Sequence, residues 1–290
     1  MFAVIIPTYN AGDDFAALLS GIAAQSVMPK YKVIVDSSSS DNTVRLAQRF
    51  GWTTEVIPRQ NFNHGATRQT AWQKITANDS EISFIVFMTQ DVRITNPRSF
   101  EHLLASFADS TVGAAYGRQL PHIGASPGAS LQRQFSYGAI GQRKTMADAA
   151  ALGIRAPFLS DSFAAYRVTA LNDVGGFPVT DLGEDIYVGG KMLLNGWAIQ
   201  YEALAEVYHS HDFSPQQSWR RYRSTGAFYR RNAWLEEHFG RSEGAGLKLL
   251  RQQISVAVNS RNPFALATML LDDAIKYLSY SIGYRWGKFW

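Results

Sequence analysis

One apolar stretch, residues 82–92 (ISFIVFMTQDV), constrains the fold more than any other part of the chain. It is rich in β-branched and aromatic residues and ends abruptly at Gln90 and Asp91, which is typical of a strand buried on both faces of a parallel sheet. Ligands of open α/β sheets bind beyond the carboxyl ends of such strands. Asp91 is therefore predicted to face a binding site and to hold a metal-diphosphate group, although a plain turn that contains Asp is an alternative.

Strand and helix patterns alternate along the residues before that stretch. Strands are predicted at residues 2–7, 31–35, 53–57 and 82–88, and helices up to about residue 25, after a capping Asp41, and over residues 65–76. This order implies parallel strands joined by helical crossovers, as in a Rossmann-like α/β sheet. Because Asp36 follows the second strand, Asp36 and Asp91 are predicted to lie at the same edge of the sheet.

Several common classes of protein are excluded by missing signals. The loop after the first strand reads PTYNAGDD and lacks G-x-G-x-x-G, so a nicotinamide or flavin enzyme is rejected. The chain has no cysteine, which excludes disulfides and thiolate chemistry and fits a reducing compartment such as the cytosol. No signal peptide is expected at the N-terminus, and no apolar run approaches the roughly 18 residues of a membrane-spanning helix.

The positive charge is concentrated at the C-terminal end. Residues 215–290 contain 12 Lys and Arg against 5 Asp and Glu, whereas residues 1–214 contain 16 against 19. A basic end indicates an anionic partner, either lipid head groups or a phosphorylated acceptor. Nucleic acid is not favoured, because no recognised nucleic-acid-binding motif accompanies the charge.

Six sequence blocks carry a resemblance to a known family. The blocks are PTYN (7–10), VIVDSSSSDNT (33–43), NFNHGATRQ (61–69), MTQDV (88–92), GGFP (175–178) and LGEDIYVGGKMLLNGW (182–197). Together they resemble a family 2 inverting glycosyltransferase of the GT-A fold over about residues 2–230. Three of them, DSSSSDNT, NFNHGATRQ and TQDV, are further similar to bacterial rhamnosyltransferases that build the O-antigen of lipopolysaccharide and related surface polysaccharides.

On the donor side, the resemblance implies a divalent cation, Mg²⁺ or Mn²⁺, between Asp91 and the donor diphosphate. Asp36 would accept a hydrogen bond from the N3–H group of uracil or thymine, since an ionised carboxylate can only accept. Ordinary loop packing for Tyr9 and a solvated helix face for Arg68 are the alternatives. The donor-binding residues implied in this way are Pro7, Thr8, Tyr9, Asp36, Ser38, Arg68, Gln90 and Asp91.

The sequence departs from the family's commoner pair of metal-binding acids, because Gln90 stands before Asp91. One carboxylate fewer should weaken metal affinity or shift ligation to another residue. His209 and His211 are candidates, since residues two apart on an extended strand point to the same face and both imidazoles would address the site. Either is predicted to be the additional ligand, with a plain surface pair as the alternative.

On the acceptor side, the resemblance identifies Asp185 as the general base. An inverting transfer needs one carboxylate to take the proton of the acceptor hydroxyl, while the metal stabilises the departing diphosphate. Glu184 is expected to position the acceptor or to cap the helix, although adjacent acids at a helix start are often only dipole partners. Asp161 and Trp197 complete the predicted acceptor site.

These observations predict a GT-A catalytic domain over residues 1–214 and a basic helical region over residues 215–290. Residues 1–92 would bind the nucleotide sugar and residues 93–214 the acceptor. The expected reaction transfers a deoxyhexose, L-rhamnose from dTDP-L-rhamnose, to a sugar hydroxyl of a lipid-diphosphate-linked glycan. A UDP-sugar donor is an alternative, and a non-catalytic nucleotide-sugar-binding or scaffold subunit is a rival of another class.

The C-terminal residues predict a helix with one apolar stripe. The stripe ends in YRWGKFW, and it is accompanied by basic residues, as expected of a helix that lies on anionic lipid at the inner face of the cell membrane. In the alternative, the stripe packs on the catalytic domain or on a second subunit of a homodimer. The apolar positions are Phe264, Ala267, Leu271, Ile275, Leu278, Ile282, Trp286 and Phe289.

Overall fold

A computed structural model of the chain describes residues 1–240 and 263–287. These residues form two compact units: residues 1–119, 138–146 and 157–209 form the first, and residues 120–137, 147–156 and the described residues from 210 onward form the second. The predicted boundary at residue 214 lies close to the last passage of the chain between the units. Two internal segments, 120–137 and 147–156, were assigned by sequence to the catalytic domain, because a boundary drawn from charge cannot detect a chain that leaves a unit and returns to it.

The sheet is parallel in the part built by the first four major strands. Strand β1 pairs in parallel with β2 and β4, and β2 with β3, as the predicted crossovers require. The later strands add antiparallel pairs, including β4 with β8 and β8 with β6. The order is β3-β2-β1-β4-β8-β6-β9-β5, with β7 paired to β9. The strands are β1 (Phe2–Thr8), β2 (Tyr31–Asp36), β3 (Thr53–Val56), β4 (Phe84–Met88), β5 (Arg93–Ile94), β6 (Val112–Leu120), β7 (Gln142–Lys144), β8 (Phe163–Arg167) and β9 (Ala198–Tyr208).

Helices connect these strands and form most of the second unit. In the first unit, helix α1 buries Phe15, Leu18, Leu19 and Ile22, the residues whose spacing predicted it. The helices are α1 (Phe15–Ala23), α2 (Thr43–Arg49), α3 (His64–Asn78), α4 (Ser99–Ala105), α5 (Pro127–Ser136), α6 (Ala149–Leu152), α7 (Val168–Asp173), α8 (Glu184–Leu194), α9 (Pro215–Arg231), α10 (Ala233–Phe239) and α11 (Pro263–Trp286). The predicted and observed ends of the early elements differ by one or two residues, which is the usual uncertainty of helix and strand ends.

The core of the first unit lies around β1 and β4. Every residue of β1 is buried, and residues 85–88 of β4 are fully buried, which confirms that the apolar stretch is covered on both faces. Asp41 was predicted to cap α2, and its Oδ1 accepts from the backbone N–H of Thr43 (2.9 Å), although Asn42 occupies the N-cap position. The sheet thereby brings the ends of β1, β2 and β4 to one edge.

In the second unit, α9 and α11 run side by side in the same direction. The hydroxyl of Ser218 near the start of α9 donates to Asp272 (3.1 Å), and Gly226 further along meets Tyr280. A Cβ atom on Gly226 would lie 2.1 Å from the carbonyl oxygen of Tyr280, so only glycine allows this close approach. The two helices therefore end on the same side of the unit.

Helix α11 packs through a face other than the predicted apolar stripe. Met269 and Ser279 are buried, whereas Leu271, Leu278 and Trp286 of the stripe are exposed. The side chain of Phe264, and the whole of Lys288 and Phe289, lie outside what the structure describes. Within the described ranges, none of the helices is both long enough and apolar enough to cross a bilayer.

Candidate active site

The loops after β1 and β2 are tied together by side chains. The backbone N–H of Asn10 donates to Ser39 Oγ (2.8 Å), and the N–H of Ser40 donates to the side-chain oxygen of Asn10 (2.8 Å). Asn10 and Ser38 both have positive φ angles, 43° and 61°, so these loops turn sharply. The strand ends thus carry a compact, preorganised loop pair, as a binding edge of an α/β sheet requires.

Asp36 holds this loop pair from inside. Its carboxylate is fully buried and accepts from Thr8 Oγ1 (2.8 Å), Ser39 Oγ (2.6 Å) and the backbone N–H of Ser39 (2.7 Å). A carboxylate has about four acceptor positions, so roughly one is left for the predicted N3–H of a base. Ser38 is exposed and donates to the carbonyl oxygen of Ile57 (2.8 Å), while Pro7 is buried within β1. The base contact of Asp36 stays a prediction.

The arginine beside Tyr9 is Arg59. Its guanidinium donates to the Tyr9 hydroxyl (2.7 Å) and lies 4.3 Å from the centre of the Tyr9 ring. Arg68, which the sequence predicted to line the base and ribose, is 1% exposed and binds acids elsewhere in the same unit. Its burial excludes the alternative of a solvated helix face, and its role beside the nucleotide stays a prediction.

Gln90 holds the backbone of Tyr9 through both atoms of its amide. Its Oε1 accepts from the Tyr9 N–H (2.7 Å), and its Nε2 donates to the Tyr9 carbonyl oxygen (3.1 Å). A carboxylate at this position could accept but not donate, which gives a physical reason for glutamine where a second acid was expected. Gln90 therefore orients the loop, and Asp91 stays the predicted metal-binding acid.

We expect Gln90→Glu to lower the free energy of unfolding by about 1–3 kcal/mol, because the Tyr9 carbonyl loses its donor and faces a carboxylate. Urea unfolding with and without Mn²⁺ measures this change. Gln73→Glu, at an exposed position on α3, adds the same charge and should leave stability nearly unchanged. A Gln90→Glu protein that is as stable as wild type and binds Mn²⁺ more tightly would contradict the structural role.

Asp91 faces His209 at the end of β9. Asp91 Oδ2 lies 3.3 Å from His209 Nε2, and His209 Nδ1 lies 2.8 Å from Gln119 Oε1. Gln119 is itself oriented by donating from Nε2 to Ser160 Oγ (2.9 Å), so its oxygen faces the ring. An Nδ1–H donated to Gln119 leaves the lone pair of neutral Nε2 directed at the carboxylate. Such a carboxylate–imidazole pair with a supporting hydrogen bond matches the donors that divalent metals use.

His211 follows two residues later but belongs to the second unit. Its ring stacks on Phe213, with the ring centres 5.0 Å apart. Gln119 is 1% exposed and orients the ring of His209 by a hydrogen bond. His209 is therefore the better supported of the two predicted ligands. A ligand role for His211 stays a prediction.

Three acids and one arginine form a buried cluster between α3, the start of β8 and the start of α8. Arg68 Nε lies 3.0 Å from Asp161 Oδ2, and its Nη1 lies 3.0 Å from Glu184 Oε1. Tyr166 donates its hydroxyl proton to Asp161 (2.5 Å). The backbone N–H of Asp161 points to Asp185 Oδ2 at 3.4 Å, so the predicted base and the predicted acceptor residues are brought together as expected.

Burial raises the pKa values of two of these acids. Desolvation is the largest cause of the raised pKa of Asp161, and Asp185 adds to it. Burial, followed by the charge of Glu184, raises the pKa of Asp185 to about 7. A carboxyl that titrates near neutral pH has the proton affinity that a general base needs. We therefore expect Asp185 to exchange a proton near neutral pH.

The roles of Glu184 and Asp185 differ by their partners. Glu184 is buried against Arg68, whereas Asp185 is half-buried and accepts from the backbone N–H of Ile186 (2.8 Å). Gly183, with φ +78°, provides the left-handed turn that starts α8 at Glu184. This geometry supports Asp185 as the acid that faces the site and Glu184 as its buried neighbour.

Trp197 does not join this cluster. It follows the C-terminal end of α8, whose 11 residues separate it from Glu184 by about 16 Å along the helix axis. Its indole N–H donates to Asp173 (3.2 Å) on α7. This position adds no support to the acceptor role of Trp197, which stays a prediction.

Sequence reasoning did not identify Arg59 or Tyr166, and it did not connect Gln119 with His209. Arg59 lies in a short turn before α3, and no spacing rule connects it to Tyr9, fifty residues earlier. Gln119 and Tyr166 act on His209 and Asp161 through pairing of β6, β8 and β9, which is fixed only by the antiparallel part of the sheet. A polar residue inside an otherwise apolar strand was the one available signal.

Comparison with known proteins agrees with the resemblance seen in the sequence. The family model "Glycosyl transferase family 2" matches residues 3–175. The "O-antigen chain rhamnosyltransferase WbaN" of Salmonella anatum is 38% identical over 287 residues, which cover 98% of this chain and 90% of that protein. The "O-antigen chain rhamnosyltransferase RfbN" of Salmonella typhimurium is 36% identical over 285 residues, which cover 98% and 89%.

A solved structure confirms the predicted fold. The structure described as "Mannosyltransferase PcManGT from Pyrobaculum calidifontis in complex with GDP-Man and Mn2+" superposes with a TM-score of 0.66 at 17% identity, covering 99% of this chain and 87% of the other. At that identity the likeness supports the GT-A fold alone. Together with the family match and the two relatives, it leads to one conclusion: this chain belongs to glycosyl transferase family 2.

Proposed function

We propose that the protein is an inverting rhamnosyltransferase. It transfers L-rhamnose from dTDP-L-rhamnose to a sugar hydroxyl of a lipid-diphosphate-linked glycan during O-antigen synthesis, at the inner face of the membrane. The observation that carries this proposal is the similarity to two O-antigen chain rhamnosyltransferases over nearly the whole chain. Family membership supports glycosyl transfer, and the relatives supply the sugar and the class of acceptor.

The buried acid cluster supports transfer in one displacement. Asp185 accepts the proton of the acceptor hydroxyl as the oxygen attacks the anomeric carbon, and the donor diphosphate leaves from the opposite face. Arg68 and Glu184 fix the start of α8, so that the Asp185 carboxylate is held in place. No enzyme nucleophile is needed for this reaction, and the configuration at the anomeric carbon is inverted.

Asp91 and His209 would hold a divalent cation, Mg²⁺ or Mn²⁺, with His211 as a further candidate ligand. The donor set fits, because it pairs a carboxylate oxygen with an imidazole nitrogen whose other nitrogen is hydrogen-bonded to Gln119. When bound, such a cation neutralises the charge that develops on the departing diphosphate. Gln119 keeps the His209 ring turned toward Asp91, and Gln90 keeps the Tyr9 loop beside it.

A nucleotide panel tests the donor. We expect dTDP and UDP to raise the melting temperature in the presence of Mn²⁺ or Mg²⁺, because the two bases share the N3–H that Asp36 would accept. ADP and GDP should have little effect. Transfer from dTDP-L-rhamnose to a lipid-diphosphate-linked acceptor, followed by NMR of the anomeric proton, checks the sugar and the inversion.

The outcomes separate the alternatives. Binding of UDP with transfer only from a UDP-sugar would keep the enzyme class and replace the donor. Tight GDP binding that competes with dTDP would exclude the dTDP-sugar and the rhamnosyl proposal with it. Nucleotide binding without any transfer would indicate the non-catalytic alternative.

A further inference from the structure

The ends of α9 and α11 enclose a groove in the second unit. Its volume is about 440 Å³, and two arginines and four aromatic rings contribute to its lining. The "C-terminal groove" is defined by Arg230, Tyr277, Tyr280, Tyr284, Arg285 and Trp286. Because α9 and α11 run in the same direction, one arginine from the last turn of each helix, Arg230 and Arg285, lines the groove.

The groove carries positive charge. Arg230 and Arg285 are both exposed, and among the residues that the structure describes neither forms an ion pair. Glu236 contacts the lining by accepting from the Tyr284 hydroxyl (2.6 Å). By contrast, Lys276 on the same helix is paired with Asp272 (2.6 Å). The positive charges of Arg230 and Arg285, at the ends of the two helices, therefore both lie at the groove.

An exposed apolar face of α11 runs into the groove. Leu271 is 62% exposed, Leu278 is 55% exposed, and Tyr277 and Trp286 at the groove are 64% and 71% exposed. Leu271, Leu278 and Trp286 are seven and eight residues apart, about two helical turns each, so they lie on one face of α11, whereas Met269 and Ser279 are buried. Exposed aromatic and aliphatic side chains next to unpaired arginines are the composition of a helix that lies in a lipid interface.

We propose that the C-terminal groove binds the phosphate-bearing head group of an anionic membrane lipid, with the exposed face of α11 against the acyl chains. Arginine matches phosphate with two parallel N–H groups, and the exposed Tyr277 adds a hydroxyl donor at the level of the head group. The positive charge of the groove favours an anionic lipid over a second copy of the chain, since the arginines of two such grooves would repel each other. This inference rests on the proposed membrane location and adds a defined site to it.

Vesicle binding tests the site on the full chain. We expect wild type to bind phosphatidylcholine vesicles that contain 20% phosphatidylglycerol, and to ignore pure phosphatidylcholine. The double variant Arg230→Gln/Arg285→Gln should bind about 30-fold more weakly, because each basic residue at an anionic surface contributes about fivefold. Arg230→Lys/Arg285→Lys should bind with an affinity between those of wild type and the Gln variant, because lysine keeps the charge but not the two parallel N–H groups.

The matched control is Arg49→Gln/Arg220→Gln. It removes the same charge, one arginine from the last turn of α2 and one from α9, and neither lines the groove. We expect the control to weaken vesicle binding less than threefold. If both double variants lose the same amount of vesicle binding, the protein is attracted by its overall charge and the groove is not a defined site. If neither variant loses vesicle binding, the groove does not bind anionic lipid.

Further measurements separate lipid binding at the groove from a loss of stability and from the proposed membrane location. Trp286 fluorescence should shift to the blue on binding to anionic vesicles, and Trp286→Phe should remove that shift while the protein still binds. If wild type ignores anionic vesicles, the membrane location fails; if inorganic pyrophosphate alone protects the protein, the groove is a site for a free anion. A lower melting temperature of the Gln variants with unchanged vesicle binding would assign the arginines to the helix ends only.

Discussion

Asp185→Asn is expected to lower turnover by about 10²–10⁴ while leaving nucleotide binding intact, because an amide cannot take the acceptor proton. Asp185 is the acid of the cluster that is half-buried, and burial with the charge of Glu184 raises its pKa to about 7. Steady-state kinetics with a lipid-diphosphate-linked acceptor and calorimetry with dTDP measure the two properties separately.

The same raised pKa predicts the pH dependence of wild type. The base acts as a carboxylate, so kcat/KM should rise tenfold per pH unit below about pH 7 and level off above it. Because the pKa is raised in the folded state, the folded protein retains protons that the unfolded chain releases, and the free energy of unfolding should fall as pH rises from about 4 to 7.

Glu184→Gln is the matched control. Glu184 is buried 3.0 Å from Arg68, so its loss should lower stability more than turnover. Asp185→Asn should do the reverse. If Glu184→Gln abolishes turnover while Asp185→Asn only lowers the melting temperature, Glu184 is the base and the assignment is shifted by one residue.

The first part of the fold follows directly from the sequence. The apolar stretch that ends at Asp91 and the alternation before it predicted four parallel strands, and each is present with its strand end at the expected edge. The antiparallel half could not be predicted, because β6, β8 and β9 pair over long sequence distances that no local pattern encodes. The same is true of segments 120–137 and 147–156, which join the second unit.

The site shows a similar division. Asp91, Glu184 and Asp185 were predicted from blocks with fixed order and Asp161 from a segment between them; the structure places Asp91 beside His209 and Asp161 beside Asp185, and their roles stay predictions. Arg68 and Trp197 have partners that the sequence did not predict, the acids Asp161 and Glu184 for Arg68 and Asp173 for Trp197, since the direction of a side chain depends on what its helix packs against. Gln90 is the clearest example, because its amide both accepts from the Tyr9 N–H and donates to the Tyr9 carbonyl oxygen, which an ionised acid cannot do.

Asp91→Asn should remove the metal-dependent part of nucleotide binding and lower turnover by about 10²–10³ or more, since charge stabilisation by a cation contributes several kcal/mol. Titration of dTDP by calorimetry with and without Mn²⁺ measures the binding. Asp13→Asn, an exposed acid in the loop after β1, removes the same charge and should have no effect.

A graded series makes the Asp91 prediction specific to a metal site. His209→Gln removes the imidazole that lies 3.3 Å from Asp91, and Gln119→Leu removes only the acceptor 2.8 Å from its other nitrogen. Loss of such a supporting hydrogen bond typically weakens metal affinity 10–100-fold. The Mn²⁺ affinity of Gln119→Leu should therefore lie between those of wild type and Asp91→Asn. In all three variants the affinity for dTDP without metal should stay the same, because Asp36 and the Tyr9 loop are untouched. Unchanged Mn²⁺ dependence in Asp91→Asn would mean that the cation, if it is used, binds to other residues of the chain.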